Sequence, residues 1–138
     1  EFRRVLFRSA IALEQTMMTN CVDAVTNKID HYAVVGGGSS SDLWCQIIAD
    51  VSGRDVKRLD TVEASALGAA MAAAKGAQWF TKIADASATM SGKPIKTFRP
   101  RKKQNSRYNE LQKIYIDLWP QLSEWNKRLV KFSRDSTT

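Results

Sequence analysis

Residues 34–41 read VVGGGSSS, and an apolar run, DLWCQIIA, follows at once. Glycine loses more backbone freedom on folding than any other residue. Three adjacent glycines therefore point to something that must approach the main chain where a side chain would intrude. A strand running into glycines and then into a helix start presents free backbone N–H groups and the positive end of a helix dipole. That arrangement suits a phosphate or a flat nucleotide, and the candidate binding residues are Gly36, Gly37, Gly38, Ser39 and Ser41. Two phosphate motifs are excluded. GxxxxGK[ST] needs a lysine that is absent, and GxGxxG needs a glycine where Ser41 stands. Taken alone, the loop fits a ligand cradle and a plain tight turn equally.

Other chemistry-bearing residues give less. His31 is the only histidine; it sits at the mouth of the apolar run Tyr32–Val35 and has no partner with ligand spacing, so it reads as a loop residue. Cys21 and Cys45 form no CxxC pair and read as two buried, reduced thiols. Asp42, Asp50, Asp55, Asp60 and Glu63 are spaced as capping or solvated acids rather than as a metal site. No catalytic residue and no metal ligand set emerges.

The elements that must position the glycine loop follow from periodicity. Ile11, Leu13, Met17, Met18, Cys21, Val22, Val25 and Ile29 recur at threes and fours, predicting an amphipathic helix over 10–29. Tyr32–Val35 is a short buried strand. Ser41 or Asp42 can cap a helix whose face is Leu43, Trp44, Ile47, Ile48 and Val51, with Gly53 as its stop. DVKRLD at 55–60 is a strand whose Val56 and Leu59 share a face only if it bulges. Residues 61–80 open as an alanine-rich helix that Gly76 ends or bends, and in which Gly68 requires a close neighbour to compensate its poor propensity. Residues 77–90 form a short helix or irregular segment, and 91–108 read as a linker. Leu111, Ile114, Tyr115, Leu118, Leu122, Trp125, Leu129 and Phe132 mark a closing helix that Pro120 must kink or restart. The four tryptophans fall on apolar faces and read as core or packing groups. This order predicts α/β organisation with a parallel strand pair.

Length and composition bound the rest. The 138 residues suit one domain, 43% of them are hydrophobic, and the formal net charge is +7. The charge is uneven: +2 in residues 1–9, −3 in 10–91, +7 in 92–113 and +1 in 114–138. A mildly acidic body with basic residues confined to short segments is not the pattern of a nucleic-acid-binding face. No apolar run reaches membrane-spanning length, and no secretory signal is present. The stretch RPRKKQNSR reads as an exposed loop. Residues 1–9 match neither helix nor strand patterning and are set aside as a non-native leader.

The run VVGGGSSSDLWCQIIADVSGRDVKRLDTVEASALGAAMAAA resembles the C-terminal domain of the FGGY carbohydrate kinases, as does the tail RYNELQKIYIDLWPQL. The loop and tail are most similar to xylulokinases within that family. The resemblance implies a ribonuclease-H-like, actin/hexokinase-type ATPase domain, incomplete at its N-terminal strands. On this reading residues 10–104 are the ATP-binding domain and 105–138 its closing helix. It implies ATP with Mg2+ as cofactors, with Gly37 and Gly38 against the nucleotide, Ser41 near the adenine edge, and the Gly68 helix packed close behind the loop. The catalytic aspartate and the sugar-binding residues would belong to a preceding segment, leaving this polypeptide inactive alone. The resemblance further implies a sugar substrate held mainly by that other segment, a homodimer of the full-length protein, a cytoplasmic location, and neither nucleic-acid nor membrane partners. The competing expectation is a non-enzymatic α/β interaction module whose glycine loop is only a turn.

Overall fold

The computed structural model describes residues 2–61 and 63–135, and for residues 2–6 and 135 the backbone alone. Glu1 of the leader, Val62 and residues 136–138 of the closing segment lie outside the described residues. In chain order the elements are α1 (Phe2–Asp23), β1 (His31–Val34), a short 3-10 turn (Gly37–Ser40), α2 (Asp42–Ser52), β2 (Asp55–Leu59), α3 (Ala64–Gly76), α4 (Ile83–Met90), β3 (Pro94–Phe98) and α5 (Lys102–Asp135).

Helix α2 is the centre of the molecule. Its Ile47 and Val51 pack with Ala12 and Leu13 of α1, joined by Trp44, Tyr108 and Tyr115. Its Cys45 and Ala49 pack with Val56 of β2 and Phe98 of β3, joined by Tyr32 and Val34. A helix covered on two sides must be apolar nearly all round, which DLWCQIIADV is. The sheet order is β1-β2-β3. Strands β1 and β2 are parallel, with Tyr32 opposite Val56, as the alternation of elements predicts. Strand β3 runs antiparallel to β2, with Val56 opposite Phe98, and the register shifts between Arg58 and Leu59. That shift is the bulge DVKRLD required.

Several sequence expectations are corrected. Residues 91–108 are not a linker, because they contain β3 and the start of α5. A strand that opens with proline and carries lysine is suited to an edge, and its pattern is masked for the same reason. Residues 2–9 are helical and continuous with α1, although their pattern suggested neither helix nor strand. Helix α1 ends at Asp23 rather than Ile29. Its carboxylate accepts from the Ile29 backbone N–H at 2.9 Å and so organises the turn beyond. The buried face of α1 is Ser9, Ala12, Leu13, Thr16 and Thr19, whereas Ile11, Met18 and Val22 are exposed. Small residues let α1 lie close to α2, and each buried threonine returns its hydroxyl to a carbonyl one turn back, Thr16 to Ala12 at 2.7 Å.

Cys45 is buried but Cys21 is exposed, on the side of α1 turned from α2. Among the tryptophans only Trp44 joins the core; Trp79, Trp119 and Trp125 are exposed. His31 is the first residue of β1 rather than a loop residue. Helix α5 runs through Pro120 without restarting.

Two ion pairs fasten the helices. Asp50 is 1% exposed and so is not a solvated acid; it accepts from Arg101 Nη2 at 2.6 Å, the Arg101 backbone N–H at 2.8 Å and Gln46 Nε2 at 3.0 Å. It therefore caps α5 from another element, and the basic segment RPRKKQNSR is anchored at Arg101. Asp50 raises the Arg101 pKa through this bond. Arg54 pairs with Asp23 at 2.5 Å and donates to Asn20 at 3.0 Å, tying the α2–β2 turn to the end of α1. That turn is made by Gly53, with φ 68°, against which Asn105 packs at 3.0 Å from where a Cβ would stand.

Candidate functional site

The glycine loop emerges from the carboxyl end of β1, where open α/β sheets bind ligands. Gly36 has φ 83° and ψ 175°, a conformation essentially reserved for glycine. It turns the chain so that Gly37–Ser40 form a 3-10 turn ahead of α2. The Ser39 N–H donates to the Gly36 carbonyl at 3.0 Å, and the Ser39 hydroxyl donates to the same oxygen at 2.7 Å. Ser39 is buried and its carbonyl accepts from the Cys45 thiol at 3.3 Å, so it locks the turn and does not face outward. The Ser41 hydroxyl accepts from the Trp44 N–H at 3.3 Å, making Ser41 the cap of α2.

A Cβ at Gly36 or Gly37 would meet nothing within 4 Å, and one at Gly38 would touch only the Trp44 indole at 3.7 Å. The glycine backbone is thus open to an adjoining cleft of about 780 Å³ lined by Phe7, Arg8, Ile11, Gly37, Gly38, Ser41 and Trp44. As the first residues of a 3-10 turn, Gly37 and Gly38 have N–H groups without partners in that turn. The cleft therefore combines main-chain donors, an indole wall and Arg8. Of the candidate residues, the structure brings Gly37, Gly38 and Ser41 to the cleft, uses Gly36 to shape the turn and buries Ser39 behind it. Phe7 and Arg8 lie in the stretch that reads as a non-native leader, and Trp44 reads from the sequence as a core or packing group, so none of the three stands among the candidate residues.

Asp42 sits in the first turn of α2, where its charge favours the helix dipole. Its carboxylate bridges Lys96 at 2.5 Å and Arg58 at 2.8 Å. Those bonds, the Lys96 one first, hold its pKa below the usual carboxylate value. Arg58 and Lys96 both lie 5.1 Å from the Phe98 ring centroid. The loop's helix is so bolted to β2 and β3. Among the described residues no group of three or more His, Cys, Asp or Glu could hold a metal ion.

Gly68 does not pack tightly behind the loop. No atom lies within 4 Å of its hypothetical Cβ. Instead it lines a recess of about 180 Å³ with Val35, Leu59 and Gly92, and α3 packs mainly on α4.

A glycine turn at the end of a parallel strand, opening into a cleft and followed by a capped helix, defines an α/β domain with a strand-end ligand site. The family model described as "FGGY family of carbohydrate kinases, C-terminal domain" matches residues 7–77. The chain belongs to this family. It is 30% identical over 131 residues to the ribulokinase of Mycolicibacterium smegmatis, covering 80% of this chain and 23% of that protein. It is 28% identical over 101 residues to the xylulose kinase of Bacillus subtilis, covering 73% and 20%. The crystal structure of xylulose kinase from Rhodospirillum rubrum superposes with a TM-score of 0.68 at 25% identity, covering 86% of this chain and 24% of that one. The fold is accordingly the ribonuclease-H-like, actin-type α/β fold of this family. The chain spans between a fifth and a quarter of the length of these relatives.

Proposed function

We propose that this chain is the nucleotide-binding part of an ATP-dependent carbohydrate kinase, a phosphotransferase acting on a sugar hydroxyl of xylulose or a related pentulose or polyol. The observation that carries the reading is the side-chain-free backbone at Gly37–Gly38, open to the cleft, in a chain of this family. Residues 10–104 and the closing segment act as one ATP-binding domain.

The chain's own residues divide the work as follows. Gly36 aims the turn, and Ser39 holds it through the Gly36 carbonyl. Gly37 and Gly38 let the nucleotide approach the main chain and offer it N–H donors. Ser41 keeps α2 capped at the cleft edge and lies beside the adenine, with Trp44 as the apolar wall. A cleft of about 780 Å³ is within the range that holds a small-molecule ligand, roughly 300–1,000 Å³. Magnesium would be carried by the nucleotide's phosphates and would neutralise part of their charge; among the described residues no group of three or more His, Cys, Asp or Glu could hold it. Phosphoryl transfer rests on positioning and charge stabilisation from both sides of the phosphate. The sugar and its general base are assigned to a separate domain, and a cytoplasmic location accords with a metabolic kinase. Among the described residues no helix is long and apolar enough to cross a membrane.

Titration with MgATP, followed by amide chemical shifts, tests this reading. Shifts concentrated at residues 36–41 and Trp44 are expected. No response there at millimolar nucleotide would leave the loop as a structural turn and favour the interaction-module alternative.

A further inference from the structure

An arginine stands on the core face of the sheet, near the end of β1 from which the glycine turn emerges. Side chains alternate along a strand, so Arg58 of β2 points to the same side as Val56, which is buried against α2. Arg58 lies opposite Val34 of β1. Its side chain is 14% exposed, and its Nε–H is buried without a hydrogen-bond partner. A guanidinium in such a place carries a desolvation cost that an apolar residue would not. Its other bonds give it a task. Nη2 donates to Asp42, in the first turn of α2, at 2.8 Å. It also donates to Cys45 Sγ at 3.7 Å, a length that suits the large sulfur atom.

Cys45 is fully buried, and its thiol passes the contact on. The S–H donates to the Ser39 carbonyl at 3.3 Å. Ser39 in turn donates its N–H and its hydroxyl to the Gly36 carbonyl. Gly36 and Ser39 bracket Gly37 and Gly38. One chain of hydrogen bonds therefore runs from Arg58 through the sulfur and Ser39 to Gly36. A thiol is a weak donor and a weak acceptor. Accepting from a cation polarises its S–H bond, and the low dielectric of the core strengthens each link. An apolar residue at position 45 would also pack in the core, but it would leave the Ser39 carbonyl without this donor.

We propose that Cys45 and Arg58 are positioning residues for the nucleotide. They fix the height and tilt of the glycine turn, so that the Gly37–Gly38 main chain meets the ligand. Neither lines the cleft; both act through Ser39. The inference rests on the cleft being a nucleotide site.

Titration of MgATP into variants of this chain tests the proposal. Cys45→Ala removes the donor and strands the buried Ser39 carbonyl, and should weaken binding by about fivefold or more. Cys45→Ser keeps a hydroxyl donor and should recover most of that loss. Arg58→Met keeps an apolar stem over Phe98 and removes the guanidinium. It should weaken binding by a smaller factor in Cys45→Ala than in the parent, because the two residues act in one chain. Val56→Ala empties space in the same core cluster without a bond to the turn. It should lower the thermal midpoint and leave affinity unchanged. Circular dichroism checks that the variants stay folded. Hydrogen exchange of the Ser39 amide in the ligand-free chain reads the turn itself. It should quicken in Cys45→Ala and return toward the parent rate in Cys45→Ser. Equal affinity in the parent and Cys45→Ala, no recovery with serine, or an equal loss in Val56→Ala would overturn the proposal. A parent chain that binds no nucleotide contradicts the reading of the cleft instead. The Ser39 amide then decides the positioning role, which an unchanged exchange rate in Cys45→Ala would overturn.

Discussion

Gly36 and Gly37 are neighbours with opposite requirements. Gly36 occupies a backbone region closed to side chains, so Gly36→Ala should cost about 1–3 kcal/mol, measured as a fall in the urea midpoint. Gly37 has ordinary φ and open space where its Cβ would be, so Gly37→Leu should leave stability within about 0.5 kcal/mol of the parent. Its side chain would fill the cleft and remove nucleotide binding. The sequence made both glycines visible but could not separate their roles, because the φ angle and the open space are properties of the folded turn. Ser39 makes the same point: its type suggested a ligand contact, whereas its hydroxyl is spent on the Gly36 carbonyl. The Asp50–Arg101 pair should be asymmetric. Arg101→Ala strands a buried carboxylate and should cost about 3 kcal/mol or more. Asp50→Ala leaves a half-exposed guanidinium that water can solvate, and should cost less; paired chemical-denaturation curves measure the difference.

At the scale of elements, the helices and strands with strong periodicity were legible, and the weakly patterned ones were not. Helix α2 reads directly from DLWCQIIADVS with its serine cap and glycine stop. Strand β3 does not, because a proline opening and the central Lys96 resemble a loop until a partner strand is known. The side of α1 that is buried was also hidden. The eye follows Ile11, Met18 and Val22, but close packing on α2 selects Ser9, Ala12 and Thr16. Phe98 now has a defined task, closing the core between β2 and α2, and Phe98→Ala should cost about 3 kcal/mol with loss of protection on β3 amides in hydrogen exchange. Acid should loosen the same connections. Asp23 is held below its ordinary pKa by the Ile29 amide and then Arg54, and Asp42 by Lys96 and then Arg58. Depressed values mean that their stabilisation is complete above about pH 4 and is lost as pH falls through the folded-state values. Thermal midpoints recorded from pH 5 downward should fall accordingly. Added salt should weaken the exposed Asp42 bridges more than the Asp23 pair.

For the whole molecule, the family and its α/β fold were legible because the glycine loop, the α2 helix and the alanine-rich helix keep their order and spacing. The shape of the cleft was not, since two of its walls, Phe7 and Arg8, lie in a stretch that looked foreign. The closing helix was legible from its spacing, but the exposure of Leu118, Leu122, Trp125 and Leu129 was not, because periodicity marks a face that wants cover without saying what covers it. A coupled ADP-release assay with pentuloses, polyols and hexonates should give no turnover above background from this chain alone, because the groups that activate the sugar are assigned elsewhere.

The central claim is that the open glycine backbone holds a nucleotide. Its most direct test is calorimetric titration of MgATP into the parent chain and into Gly37→Leu, with both shown to have the same thermal midpoint. Saturable binding by the parent, weakened by about tenfold or more in the variant, is the predicted result. Equal affinity in the two proteins, or no binding by either at millimolar nucleotide, would contradict it.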